Sequence, residues 1–308
     1  MYKTKCPVCG GTHTVKNGKR RGVQTYLCKG CGYQFRNGSG IKRDTLWSGY
    51  QDGKQTISEL AAAFGVSDST IKRRLREIEK DWVQPRLEGS GFVHLDATYW
   101  GHNWGVMLAL DESSGKPFYM AFIAHERVQD YVDAVRSIEE RGYTIKGLVI
   151  DGMKSLFSEL SSYKVQMFQY HMIQIVRRSL TQHPRLIAAK ELKALVDNIA
   201  NEDGTEFENK YRHWKSKWVD MLNRRSTLKS GKTRFTHRRL RSAMHSVDFY
   251  LPYLFTYQLP ECDGMPNTNN KIEGTFTDLK KNLNNHSGMS KKNRKRFISG
   301  FFLALGEI

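Results

Sequence analysis

"FVHLDATYW", residues 92–100, is an apolar, aromatic-rich run that reads as a strand, yet it carries Asp96 at its middle. An unpaired carboxylate in such surroundings costs several kcal/mol or is neutralised by a shifted pKa, so Asp96 calls for a partner: a helix cap, a cationic side chain or a metal. The pattern recurs in "GLVIDG", residues 147–152, where a second apolar run ends in Asp151. Taken singly, Asp151 before a glycine is a turn or helix-cap residue. Around these two runs the periodicity orders the elements. "FVHLDATYW", "WGVMLALDE" and "KPFYMAFIAHE", separated by turn signals at "GHN" and "SSG", predict an antiparallel meander. Val128, Tyr131, Val132, Val135 and Ile138 then recur at helical spacing up to Gly142. A strand "IKGLVID", a short helix around residues 156–160, a strand "KVQMFQY" and a helix over about 171–180 follow. The order β-β-β-α-β-α-β-α predicts a mixed α/β domain in which the strands bearing Asp96 and Asp151 are neighbours.

Two carboxylates brought together repel unless a cation lies between them, and a magnesium pair doing phosphoryl transfer calls for a third. "MPNTNNKIEGTFTDLKKNLNNHSG" supplies one. Ile272, Phe276, Leu279 and Leu283 form an apolar helix stripe, and Glu273 lies beside it, one turn from the helix start. On its own, a glutamate there compensates the helix dipole.

The net charge of +18 favours a polyanionic partner. Residues 1–88 hold 17 basic and 8 acidic side chains, 210–241 hold 12 and 1, and 271–308 hold 8 and 3, whereas 89–209, around both aspartates, hold 12 and 16. Basic flanks about a mildly acidic centre suit a chain that grips phosphates in several places and gathers cations in one. The longest apolar runs, such as "GVMLAL" and "FFLAL", fall far short of the ~20 residues that span a bilayer, and the N-terminus has no signal-peptide core. The expectation is a cytoplasmic protein without a membrane partner.

Four of the five cysteines fall in "CPVCG" (Cys6, Cys9) and "CKGCG" (Cys28, Cys31). Two C-x-x-C-Gly knuckles suit one tetrahedral zinc ion; two disulfides are disfavoured in a reducing compartment. Between them "HTVKNGKRRGVQTYLC" reads as a hairpin with a basic turn, and so small a segment draws its folding energy from the metal. Cys262, isolated in "LPECDG", reads as an ordinary cysteine. In "QTISELAAAFGVSDSTIKRRLREIE", residues 55–79, Ile57, Leu60, Ala61 and Phe64 mark one helix, Gly65 a tight turn, and Ser67 the cap of a second helix with Ile71, Leu75 and Ile78 inside. This is a helix-turn-helix pattern, whose second helix offers Ser69, Thr70, Lys72, Arg73 and Arg76 to a DNA groove. A generic helical hairpin is the alternative, and the basic face weighs against it.

Residues 185–262 open with an amphipathic helix (Leu186, Ala189, Leu192, Leu195, Val196, Ile199) and continue through "KYRHWKSKWVDMLNRRS". There Tyr211, Trp214 and Trp218 have core-stripe spacing. Arg212, Lys215 and Lys217 between them, and Arg224 and Arg225 beyond, are candidate phosphate contacts, and "KSGKTRFTHRRLR" extends the basic surface.

Asp96, Asp151 and Glu273 in this order, with "FQYHMIQIVRRSLTQHP" after the last strand and "NTNNKIEG" at the glutamate, resemble the DDE transposases of bacterial insertion sequences of the Mutator-like type, over roughly residues 91–308. The resemblance implies a ribonuclease-H-like core interrupted by a helical insertion. It also implies two Mg2+ (or Mn2+) ions per active site, Asp96 bridging both and Asp151 and Glu273 completing one each. The implied reaction is metal-dependent cleavage at the element's ends followed by attack of a 3′-hydroxyl on target DNA. The zinc ribbon and helix-turn-helix are similar to the DNA-end-binding fronts of transposases more widely. Relatives commonly begin the helix near 171 with a Cys-x-x-His pair; here His171 is present but Phe168 stands at the cysteine position, so no cysteine-dependent role carries over. His171 is then a contact to the catalytic carboxylates or the DNA strand, or an ordinary polar residue at a helix terminus.

The expected organisation is a zinc ribbon (1–40), a helix-turn-helix domain (41–88), the first part of the core (89–184), the helical insertion (185–262) and the core's C-terminal helices (263–308). Expected partners are double-stranded DNA, as terminal inverted repeats and as target, and further copies of the chain, because joining two ends needs two active sites in register; the chain would associate with the bacterial nucleoid. A catalytically silent DNA-binding regulator and a nuclease without strand transfer are the other classes these residues allow.

Overall fold

The computed structural model of the chain describes residues 4–307 apart from 7, 21, 37–40, 79, 102, 152 and 287; Glu79 and Gly152 of the motifs above therefore lie outside the described residues. The chain divides into two compact units, residues 1–80 with 282–297, and residues 81–281 with 298–308.

In the first unit β1 (Thr14–Arg20), β2 (Val23–Cys28) and β3 (Gln34–Arg36) form an antiparallel sheet in that order. β1 and β2 make the expected hairpin, with Thr14 opposite Cys28 and Arg20 opposite Val23. β3 is too short to show alternation in sequence; its one buried residue, Phe35, joins Cys6, Cys28 and Tyr26 in a small apolar cluster. Three helices follow: α1 (Arg43–Gln51), α2 (Ile57–Phe64) and α3 (Asp68–Arg76). α2 begins with reciprocal capping, the Thr56 hydroxyl accepting from the Glu59 amide at 3.3 Å and the Glu59 carboxylate accepting from the Thr56 amide at 2.7 Å. It ends at Gly65, whose φ of +63° only glycine adopts without strain, so that the Val66 amide can reach back to the Ala61 carbonyl at 2.9 Å. Ser67 caps α3 through the Thr70 amide at 3.3 Å. Leu60, Ala61, Ile71, Leu75 and Ile78 are buried, and α1, which the sequence reading did not place, adds Leu46, Trp47 and Tyr50 to that interior. Residues 282–297 complete the unit: Phe297 packs edge-on against Tyr50 at 5.6 Å, and His286 Nε2 donates to the Tyr50 carbonyl at 2.9 Å.

The second unit runs β4 (Ser90–Tyr99), β5 (Gly105–Asp111), β6 (Pro117–Ile123), α4 (Val128–Glu140), β7 (Thr144–Ile150), α5 (Lys154–Glu159), β8 (Val165–Met167) and α6 (Gln169–Leu180). It continues with α7 (Ile187–Asp197), α8 (Gly204–Lys217), α9 (Val219–Asn223), β9 (Arg225–Thr227), β10 (Thr233–Phe235), α10 (Arg238–Tyr250), α11 (Asn270–Asn284) and α12 (Lys291–Glu307), the last two of which extend into the first unit. The five-stranded sheet has the order β6-β5-β4-β7-β8; β4, β5 and β6 are antiparallel, and β7 and β8 run parallel to β4. This is a mixed α/β architecture. The expected strand "KVQMFQY" shrinks to three residues, because α6 already starts at Gln169, whose buried side chain donates to the Leu254 carbonyl at 2.9 Å.

One face of the sheet, with Val93, Leu95, Leu148 and Ile150, shares a single apolar core with Tyr131 and Ile138 of α4, Met172 and Val176 of α6, and Leu192, Phe207, Tyr211, Trp214 and Val247 of residues 185–262. The latter segment is therefore packed as one body with the sheet. It is not wholly helical, since β9 and β10 pair as a small antiparallel hairpin, and the guanidinium groups of Arg225 in β9 and Arg241 in α10 lie 4.5 and 3.6 Å from the Phe235 ring centroid. The opposite sheet face carries a second cluster of Phe92, Val149, Phe168, Cys262 and Met265, which accounts for both the phenylalanine at 168 and the isolated cysteine as packing residues. Among the described residues no helix is long and apolar enough to cross a membrane.

Candidate active site

Alternation along β4 puts Val93 and Leu95 into the main core and leaves Phe92, His94 and Asp96 on the other face. The parallel register pairs Leu95 with Ile150, so Asp96 and Asp151 follow at adjacent positions where β7 ends. Asp96 is half-buried, and its Oδ1 accepts from the Ala97 amide at 2.7 Å. Burial, then the negative charges of Asp151, Glu126 and Glu273, push the Asp96 carboxyl up to about 7 against the pull of that amide. The carboxyl thus feels three anionic groups drawn from three other chain segments.

Each neighbour is positioned by a different element. His171, in the first turn of α6, brings Nδ1 to 2.8 Å from Asp151 Oδ1. Glu273 is exposed on the first turn of α11, and the start of that helix is fastened on two sides. Lys271 Nζ donates to the Glu112 carbonyl and lies 3.2 Å from Glu112 Oε1, while the other Glu112 oxygen meets Nε2 of His94, two residues before Asp96. Asn267 donates to Gln169 Oε1 at 3.1 Å, two residues before His171. The same contacts that set β4 and α6 therefore set Glu273.

The sequence reading missed Glu126, in the link between β6 and α4, whose Oε1 accepts from the hydroxyl of buried Tyr131. Burial, the Glu126 charge and the more distant Asp96 and Asp151 charges all hold that phenol in its neutral form. It also missed Tyr250 of α10, buried and raised to about 12 by burial and by the charge of Asp151. The only available signal for Glu126 was a carboxylate at the exit of an apolar strand, the same signal that marked Asp151.

Among the described residues, Cys6, Cys9, Cys28 and Cys31 are the one group of His, Cys, Asp or Glu ligand atoms that all lie within 4.8 Å of one another; the carboxylates around Asp96 are not drawn that close. The sulfurs of Cys6 and Cys31, and of Cys9 and Cys28, are 3.6 Å apart. That is close to the edge of about 3.8 Å set by a tetrahedron with Zn–S near 2.3 Å, and far from a disulfide bond length. Gly10 and Gly32, both at φ +71°, turn each knuckle so that their amides reach the Cys6 and Cys28 carbonyls at 2.9 Å. Burial would raise the Cys6 thiol, but the Cys9 and Val8 amides and neighbouring thiols bring it down to about 7, whereas the surrounding thiols push Cys31 up to about 12 despite the Tyr33 amide. Four such groups ionise together only around a cation, and the cluster is compatible with a structural zinc ion.

Of the candidate DNA contacts, Ser69, Lys72, Arg73 and Arg76 are exposed on α3, whereas Thr70 is half-buried and engaged with Ser67 in the cap. On α8, Arg212 pairs with Glu208 and Lys215 with Asp248, the latter at 2.7 Å, so both charges have internal partners; Lys217 likewise meets Glu191 at 2.7 Å. Arg224, just before β9, and Arg225, its first residue, are exposed.

No protein-family model and no curated protein matches the chain. Among solved structures it is similar to the Drosophila P element transposase in a strand transfer complex, with a TM-score of 0.43 and 10% identity, over 86% of this chain and 92% of that one. A likeness of that degree carries no argument about activity.

Proposed function

We propose that the chain is a DDE transposase of the bacterial insertion-sequence type, which binds the ends of its element and carries out metal-dependent DNA cleavage and strand transfer. The observation that carries the reading is the half-buried Asp96 carboxyl, raised first by burial and then by the charges of Asp151, at the end of the adjacent parallel strand, and of Glu126 and Glu273. A ribonuclease-H-like description of the core is supported by the sheet order, with the first strand between an antiparallel second and a parallel fourth.

The donor set is chemically right for Mg2+ or Mn2+, which prefer hard carboxylate oxygens, and a bound cation would favour the ionised form of a carboxyl raised by its neighbours. Asp96, Asp151 and Glu273 would hold two such ions, which supply activation of an attacking oxygen and stabilisation of a leaving one. The chain's own part is positional. The Ala97 amide fixes one Asp96 oxygen, His171 orients Asp151, and the Lys271–Glu112–His94 and Asn267–Gln169 contacts hold the start of the helix that carries Glu273. Away from the chemistry, residues 1–40 are proposed as a zinc ribbon and 41–88 as a helix-turn-helix that together choose the DNA end. Residues 89–184, 263–281 and 298–308 form the core around the insertion at 185–262, where Arg224 and Arg225 grip backbone, and residues 282–297 return to the N-terminal unit. Joining two ends would require at least two copies of the chain.

A joining assay tests the proposal: a duplex from the end of the encoding element, pre-cut to expose its 3′-hydroxyl, is incubated with a second duplex in Mg2+. Joined product is expected. Cleavage of uncut ends without joining would reassign the chain as a nuclease, and end binding with neither reaction as a silent regulator.

A further inference from the structure

Within the N-terminal unit a cavity of about 650 Å³ lies between α3 and the chain from the α11–α12 link into the start of α12, with Lys72 and Arg76 contributed by α3, Asn285 by the link, and Asn293 and Arg296 by α12. Helix geometry divides the exposed face of α3. Ile71 and Leu75 are buried, Arg73 points farthest from them, and Lys72 and Arg76, four residues apart, share one flank. It is this flank that faces the cavity.

We infer that the cavity is a phosphate clamp for duplex DNA, in which Lys72, Arg76 and Arg296 grip the backbone of one strand while Ser69 and Arg73 remain free for the groove. The inference rests on the reading of α3 as the DNA-facing helix and adds a second, chain-distant segment to it. Three cations converge here without a partner: no ion pair or hydrogen bond engages Lys72, Arg76 or Arg296 among the described residues, in contrast to Arg212, Lys215 and Lys217. Arg296 is half-buried, and a guanidinium withdrawn from water without a counter-ion is unfavourable until an anion arrives. The one carboxylate in the lining, Asp68, is otherwise engaged, accepting from Ser58 Oγ at 3.0 Å in the first turn of α3, where the helix dipole favours it. Neutral donors complete the wall in Asn285, Asn293 and Ser290, the mixture of charged and amide donors that phosphate oxygens accept. The run "KKNRKR", residues 291–296, continues the positive potential beyond the cavity mouth, as an extended polyanion requires and a small free phosphate does not.

The test measures affinity of the full chain for an end duplex and for an unrelated duplex across a salt series, using Arg296→Gln, Lys72→Gln and Arg73→Ala. Both glutamine variants should weaken the two duplexes alike and flatten the slope of log K against log salt by about 0.9 each, one phosphate contact apiece, and Arg296→Lys should restore most of the slope. Arg73→Ala should instead act mainly on the end duplex. Slopes unchanged in Arg296→Gln and Lys72→Gln would overturn the clamp and leave the transposase reading standing, whereas a wild type that binds neither duplex would overturn both. If Arg296→Gln lowers the melting temperature, the exposed Lys72 decides the matter. A shift by inorganic phosphate alone, with no difference between variants on DNA, also counts against the clamp.

Discussion

The four cysteines come from two knuckles beside one small sheet, and their sulfurs all lie within 4.8 Å of one another. The carboxylates around Asp96 come from β4, the end of β7, the link before α4 and the first turn of α11, and what joins them is charge acting across a half-buried space. The first group is encoded locally: a C-x-x-C-Gly repeat fixes each pair of ligands whatever the rest of the chain does. The second is encoded by topology, because only the β6-β5-β4-β7-β8 order and the anchoring of α11 bring it together. A local site should therefore carry folding energy, and a topological one should be costly to its own fold and useful only in chemistry.

The largest effect expected from this contrast is on the cysteine side. Chelation of zinc, or Cys28→Ser, should unfold the β1–β3 sheet, a loss on the order of 10 kcal/mol, while the five-stranded unit keeps its melting transition. Sheet amide resonances that survive chelation would erase the distinction. Next comes chemistry: Asp151→Asn and Glu273→Gln should each slow joining by about a hundredfold or more, and the double variant should lose little beyond either, because the groups act as a unit. Additive losses would mean independent roles. A smaller effect tests membership of Glu126. In metal-free protein Glu126→Gln removes a negative neighbour, so Asp96 should ionise more easily and its pKa should fall from about 7 by up to roughly one unit, read from the side-chain carboxyl resonance. An unmoved resonance excludes Glu126 from the cluster. The smallest concerns pH and the N-terminal unit alone. His286 is buried and its pKa lowered, so the folded unit keeps it neutral where the unfolded chain takes up a proton near 6.5. Stability should be full above that value and decline below it, and His286→Gln should flatten the decline in a melting series.

Much of this was legible because burial leaves periodic marks. The alternation around Asp96 and the helical spacing from Val128 to Ile138 gave the element order, and a carboxylate inside an apolar strand announced itself. Glu126 did not, since an exposed glutamate in a link is unremarkable until Tyr131 and Asp96 are placed beside it. Lys215 read as a free cation because its partner, Asp248, lies on another helix, α10. The inclusion of 282–297 in the N-terminal unit was equally hidden, as it depends on His286 and Phe297 meeting Tyr50 from the far end of the chain. α1 escaped notice because the helix-turn-helix pattern covers only residues 55–79, although Leu46, Trp47 and Tyr50, within the expected 41–88 domain, were spaced to be buried.

The central claim is that Asp96 serves a metal and not the fold, and the comparison of wild type with Asp96→Asn in the joining of a pre-cut 3′-hydroxyl end in Mg2+ tests it most directly. The substitution removes a charge with almost no change in volume. Joining should fall by about a thousandfold or more, with end binding intact and the metal-free melting temperature equal or higher, because repulsion with Asp151, Glu126 and Glu273 is relieved. An Asp96→Asn protein that joins at the wild-type rate, or that unfolds while the wild type shows no Mg2+-dependent joining, would contradict the account and leave Asp96 as a structural residue of a DNA-binding regulator.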